Sequence, residues 1–111
     1  MTAHAAFITH QTKPGQQASA EAVWNRIMNP AIMANPYHLA YVNMLPADEP
    51  DVIRAFQLYR TADDATIFGR TPEYREYAVA VSEHLDGPPH VALAPAAWVP
   101  TMIGGIDQRA D

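Results

Sequence analysis

Residues 51–85, DVIRAFQLYRTADDATIFGRTPEYREYAVAVSEHL, decide the fold of this chain. The pattern predicts a strand over residues 52–59, a short helix over 62–68 and a longer helix over 72–85. We expect these two helices to lie over whatever the protein binds.

The helix starts in this stretch carry clear capping signals. Thr61 and Thr71 each place a hydroxyl where it can accept from exposed amides, and Pro72 takes the first helical position, where its missing N–H costs nothing. The acidic pair Asp63 and Asp64 is expected to serve the helix dipole.

The flanking sequence completes an α+β order. Further strands are predicted over residues 5–10, 38–45 and 90–99, and a helix over 16–28 with another turn over 31–34. Pro30 is expected to break or kink that helix, and Pro95 to mark an edge or a bulge. The order β-α-β-β-α-α-β predicts a ferredoxin-like split βαβ fold, an antiparallel four-stranded sheet with helices on one face. Residues 1–100 form one predicted domain, and 101–111 a C-terminal tail.

Composition predicts a partner for the sheet. Apolar residues make up 49% of the 111 residues and charged residues 17%, below the usual share of about 25%. A domain of this length buries only roughly two thirds of its unfolded surface. Because the strands are apolar on both faces, we expect a second sheet to cover the face opposite the helices, in a homodimer.

Charge and residue usage exclude several function classes. The formal charge of −5 and the lack of a basic run argue against nucleic acid and anionic lipid as partners. The absence of cysteine excludes disulfides and thiolate chemistry. No signal peptide and no apolar run near the roughly 18 residues of a membrane helix are seen, so a cytoplasmic location is expected.

Two short motifs carry a family resemblance. Residues 13–15, Lys-Pro-Gly, follow the first strand, and residues 71–74, Thr-Pro-Glu-Tyr, open the last helix. With the element order, they make residues 4–100 similar to the antibiotic biosynthesis monooxygenase family, which forms dimeric α+β barrels and includes quinol monooxygenase-like proteins. Phe68 stands where that family has His or Trp, and Gln57 and Tyr59 stand where it has Glu and Trp.

The resemblance implies an activity. It points to a cofactor-independent monooxygenase that binds a small aromatic or quinol-like compound and dioxygen, with no cofactor expected. The haem-degrading branch is not expected, because Ala78 stands where that branch needs an axial His and Ile8 where it needs an Asn. The alternative is a non-catalytic homodimer of the same fold that binds a small metabolite, since fold alone does not fix function.

Two residues are the candidate catalytic groups. His10, at the end of the first strand, titrates near neutral pH and is either a base or a half-exposed bystander. Asn43 lies in an apolar strand and needs partners for its amide, in a site, at an edge or bulge, or across subunits. His38 is expected to be exposed, and His84 with His90 is weak evidence for a metal site.

Five residues are candidates for binding the substrate. They are Trp24, Tyr41, Arg54, Phe68 and Tyr74. Trp24 either packs in the core or lines a ring-shaped pocket. Phe68 and Tyr77 are placed on the opposite wall, and Tyr74 either joins them there or simply packs the start of its helix. Arg54 either holds a substrate anion or is solvated or paired across a dimer.

Overall fold

The computed structural model describes residues 2–100 and confirms the predicted α+β order. The elements are β1 (His4–Gln11), α1 (Gln17–Ala34), β2 (His38–Met44), β3 (Val52–Tyr59), α2 (Ala62–Gly69), α3 (Pro72–Ser82) and β4 (His90–Pro95). The strands form one antiparallel sheet in the order β2-β3-β1-β4. The predicted tail, residues 101–111, lies outside the described residues.

Strand β3 lies at the centre of this sheet. It pairs with β1 along its whole length, from the pair Gln11–Val52 to the pair His4–Tyr59, and with β2 on its other side. Because side chains alternate along a strand, cross-strand pairs sort the residues into two faces. The face under the helices carries, among others, Ile8, His10, Tyr41, Asn43, Ile53, Ala55 and Gln57.

A β-bulge interrupts β2 near its start. His38 pairs with Tyr59 and Ala40 with Leu58, so Leu39 is an extra residue on its strand. The extra residue resets the alternation, because His38 and Tyr41 then both face the helices although they are three positions apart. Leu39 itself is buried in a small cluster with Leu58.

The predicted helix caps are confirmed. The hydroxyl of Thr61 accepts from the backbone N–H of Asp64 at 3.1 Å, and Thr71 caps α3 in the same way. The carboxylate of Asp64 does more than serve the dipole, because it is buried and accepts from the guanidinium of Arg60 at 2.9 Å. Arg60 is therefore paired within its own chain.

Three predicted boundaries differ from the structure by more than one residue. α1 runs on to Ala34 with Pro30 inside it, because Ile27 and Met28 before the proline and Ile32 after it pack against the same core. α3 ends at Ser82 rather than at residue 85. β4 ends at Pro95, on the edge of the sheet, rather than at residue 99. The proline cannot continue the ladder there. None of the helices within residues 2–100 is long and apolar enough to cross a membrane.

The two faces of the sheet are covered unequally. The main core lies between the sheet and the helices, and includes Ile27, Ile53, Phe68 and Val81. Among the described residues, the opposite face has only a small buried cluster near Leu58, which the segment after β4 partly covers. The rest of that face leaves large apolar side chains half exposed: Phe7 (50%), Val42 (48%) and Met44 (39%).

Replacing the cap of α2 tests this account of its start. Thr61→Ala removes the acceptor for the Asp64 N–H, and we expect a loss of about 1 kcal/mol of unfolding free energy. That corresponds to a melting temperature lower by about 4 °C, measured by thermal denaturation. Thr66→Ala is the matched control, because Thr66 is exposed within the same helix and alanine favours helix there. Equal melting temperatures for the two variants would contradict the capping role.

Candidate functional site

A chamber opens between the sheet and α3. Its main part has a volume of about 280 Å³ and is lined by His10, Tyr74, Tyr77, Leu85 and the loop of residues 87–89. A narrow inner part of about 40 Å³ adjoins it, shares His10, Tyr74 and Tyr77, and is lined further by Tyr41, Gln57 and Phe68. The helix α3 therefore supplies one wall of the chamber and the central strands supply the other.

His10 stands at the junction of the two parts. Its Nδ1 atom is buried and has no hydrogen-bond partner among the described residues. Burial lowers the pKa of His10 from 6.5, because the charged imidazolium is poorly solvated there. At neutral pH the ring is therefore uncharged. Nδ1 is sealed from the chamber, whereas Nε2 makes no hydrogen bond and is not among the sealed, unpartnered atoms of the described residues, so Nε2 is the ring nitrogen that can accept a hydrogen bond or a proton from a molecule in the chamber.

Tyr41 is held in place from the first helix. The indole Nε1–H of Trp24 donates to the hydroxyl oxygen of Tyr41 at 3.0 Å, and the two rings lie 5.4 Å apart. Burial raises the pKa of Tyr41 to about 12, so its phenol is protonated at neutral pH. Trp24 positions a wall residue but is not itself part of the lining.

A hydrogen-bonded cluster lies at the inner end. The Nε2 atom of His38 lies 2.9 Å from the Oε1 atom of Gln57, and the hydroxyl of Tyr59 donates to the same oxygen at 2.7 Å. The Nδ1 atom of His38 lies 2.9 Å from the amide nitrogen of Asn35. Burial is the largest effect on the pKa of His38 and lowers it from 6.5.

The expectation that His38 is exposed is wrong. Its ring packs 4.3 Å from the ring of Tyr59 and meets Phe68 edge to face at 4.5 Å. The β-bulge is the reason, because it turns His38 toward the helices at the point where β2 begins.

Asn43 and Arg54 are not part of the chamber lining. Asn43 faces the helices, but its amide donates to both carboxylate oxygens of Glu21 on α1, at 2.8 and 2.7 Å. Arg54 lies on the opposite face, three positions from Gln57, and forms an ion pair with Glu49 within its own chain. Of the sequence candidates, the structure therefore brings together His10, Tyr41, Phe68 and Tyr74.

A second, shallower groove of about 570 Å³ lies outside the chamber, between α1, α2 and the start of α3. Phe68 lines both spaces. Its buried ring, 6.1 Å from that of Tyr74, therefore borders both of them.

Sequence reasoning did not single out Gln57 as a site residue. A buried polar side chain within an apolar strand was the available signal, the same signal that drew attention to Asn43. Of the residues that orient Gln57, His38 comes from a bulge and Asn35 from a loop, and no local sequence pattern predicts either of them.

No protein-family model matches this sequence, and a search of curated proteins gave no match. Solved structures do match. One is a protein from Caulobacter crescentus that carries the name antibiotic biosynthesis monooxygenase as a provisional assignment, with 20% identity and a TM-score of 0.81 over 87% of this chain and 92% of that one. A second is Rv0793 from Mycobacterium tuberculosis, with 21% identity and a TM-score of 0.77 over 88% and 99%.

A third structure, named antibiotic biosynthesis monooxygenase, is 15% identical with a TM-score of 0.75, over 87% of this chain and 99% of that one. At such identities the likeness establishes the architecture and leaves the chemistry open. The chain therefore has the fold of structures named as antibiotic biosynthesis monooxygenases.

Proposed function

We propose that this protein is a cofactor-independent monooxygenase that oxidises a small phenolic or quinol-like aromatic compound in the chamber beside His10. One observation carries the proposal: a neutral histidine whose ring nitrogens make no hydrogen bond among the described residues lines an aromatic-walled cavity. Among the described residues that line the chamber, His10 is the one whose side chain titrates near neutral pH.

The proposed reaction needs few groups from the protein. Nε2 of His10 accepts the phenolic proton, and the resulting anion passes one electron to dioxygen. The radical pair forms a C–O bond at a ring carbon that carries hydrogen, ortho or para to the phenolic oxygen. Loss of water then gives the quinone, so that one oxygen atom enters the product and the other leaves as water. The two hydrogens of that water come from the phenolic O–H and the ring C–H, and no further reductant is needed.

The walls of the chamber suit such a substrate. Tyr41, Phe68, Tyr74 and Tyr77 provide aromatic surfaces for a planar ring. Burial raises the pKa of Tyr41 and of Tyr77, so these phenols stay neutral and do not repel an anion formed beside them. The names of the structural neighbours agree with this reaction class.

A second candidate function is a homodimer that binds a small metabolite without catalysis. The observation that favours it is that Gln57 and Tyr59, at positions where the resembled family has Glu and Trp, are tied into a neutral hydrogen-bonded cluster. Ligand binding without oxygen consumption would select this candidate.

We propose that a second copy of the chain covers the sheet face opposite the helices. The rings of Phe7 and Phe56 lie 5.3 Å apart at the centre of this face, with Val42 beside Phe56 in register. Contiguous exposed apolar surface of this kind is typical of an interaction site. A symmetric pair would bury this patch on both subunits at once.

Oxygen consumption tests the proposed reaction. Purified wild-type protein is expected to consume dioxygen with a panel of one- to three-ring phenols and hydroquinones, measured with an oxygen electrode against buffer. His10→Gln is expected to lower the rate by roughly 10²-fold or more, since positioned general bases typically contribute that much. The wild-type rate should hold at neutral pH and fall as the pH drops through the pKa of His10, which burial places below 6.5.

His90→Gln is the matched control, because His90 is exposed on the edge strand and absent from the chamber lining. This variant should keep the wild-type rate of oxygen consumption and the same fall in rate at acidic pH. A wild-type protein that consumes no oxygen beyond buffer with any member of the panel would refute the monooxygenase proposal.

Sedimentation tests the proposed dimer. Wild-type protein should sediment as a dimer at micromolar concentration, and Val42→Glu should shift it to monomer because a carboxylate would be buried at the interface. Val79→Glu, which adds the same charge to an exposed apolar position on α3, should remain dimeric. A wild-type monomer under these conditions would count against the second copy.

A further inference from the structure

One chain of hydrogen bonds fixes which way each group at the inner end of the chamber points. It starts at the backbone N–H of Tyr37, a donor that cannot be reversed, which donates to Oδ1 of Asn35 at 3.2 Å. The amide nitrogen of Asn35 must then be the group that faces His38, so it donates to Nδ1 of the ring. A neutral ring that accepts at Nδ1 carries its proton on Nε2.

The same logic orients Gln57. The Nε2–H of His38 donates to Oε1 of Gln57, and the hydroxyl of Tyr59 donates to that oxygen as well. Turning the amide over would set its NH₂ group against the Nε2–H of His38, donor against donor. The carbonyl end of Gln57 is therefore held by two donors, and its NH₂ end points away from them.

That NH₂ group makes no hydrogen bond within the described residues, although Gln57 is 5% exposed. Among the described residues, the polar atoms that are sealed from solvent and lack a hydrogen-bond partner do not include the nitrogen of this NH₂ group. Since the group has no partner, it must have access to open space. Because Gln57 lines the inner part of the chamber, that space is the chamber itself.

We propose that the amide NH₂ group of Gln57 binds an acceptor oxygen of the ligand, and that Asn35, His38 and Tyr59 hold it in this orientation. The ligand class is an aromatic compound with a carbonyl or phenolate oxygen at the inner end of the chamber. This inference deepens the proposed function and rests on it for the role of the bound oxygen. Gln57 then supplies the donor to that oxygen, while His10 supplies the acceptor at the junction of the two parts.

A pair of unreactive probes isolates this hydrogen bond. 1-Tetralone has two fused rings and one carbonyl oxygen, and tetralin has the same rings without oxygen. Wild-type protein is expected to bind tetralone more tightly, measured by titration with NMR detection. Gln57→Glu keeps an oxygen for His38 and Tyr59 but replaces the NH₂ donor, so at pH 8 it should lose roughly three- to tenfold in tetralone affinity. Its tetralin affinity should stay unchanged.

Gln11→Glu is the matched control, because Gln11 is exposed at the end of β1 and outside the chamber. It should bind both probes as the wild type does. A Gln57→Glu variant that keeps the full preference for tetralone would overturn the inference, and so would a wild-type protein that binds tetralone no better than tetralin.

The wild-type protein gives a second test that needs no substitution. Nitrogen-15 NMR should show His38 protonated on Nε2 and bare on Nδ1, and the side-chain NH₂ signals of Gln57 should shift with tetralone but not with tetralin. A proton on Nδ1 of neutral His38 would overturn the orientation. These measurements contain no oxygen chemistry, so their failure is distinct from a failure to consume oxygen.

Discussion

The alternation of side chains along β3 is the constraint on which the structure depends. The strand is hydrogen-bonded on both sides, so it cannot slip by one residue without exchanging its two faces. Gln57 and Tyr59 lie under the helices in the observed register, and Arg54 lies on the other face. A shift by one would bring a guanidinium into the apolar core and remove the cluster at the inner end of the chamber.

This register creates a chamber whose polar groups are uncharged at neutral pH. Tyr41 and Tyr77 keep their protons, and the pKa values of His10 and His38 are lowered, in each case because burial disfavours the charged form. In such surroundings an anion formed from a bound molecule depends on a few well-oriented hydrogen bonds, which are stronger in a low dielectric than in water. The placement of individual donors and acceptors therefore matters more here than net charge.

The sequence predicted those parts of the fold that local signals specify. The bounds of β3 and the caps of α2 and α3 follow from alternation and from single hydroxyls, and they agree with the structure. The antiparallel sheet with helices on one face follows from the order of elements. Pro30 was harder to interpret, because packing on both sides of it outweighs the lost hydrogen bond.

The site was less predictable because its contacts join distant parts of the chain. His38 lies 19 positions from Gln57, and Asn43 lies 22 positions from the Glu21 carboxylate that binds it. Arg54 looked like a ligand for an anion because it interrupts an apolar strand, yet its face is decided by its register against β1 and β2. Tertiary contacts of this kind have no signature in local spacing.

The extra residue in β2 has a consequence for any comparison of this chain with relatives. Strands that lack an insertion at Leu39 match this one only if a gap is opened there, since the inward and outward positions change phase at that point. An ungapped alignment would equate His38 with a residue that faces the wrong side of a relative's sheet. Counts of shared site residues would then come out too low for a purely geometric reason.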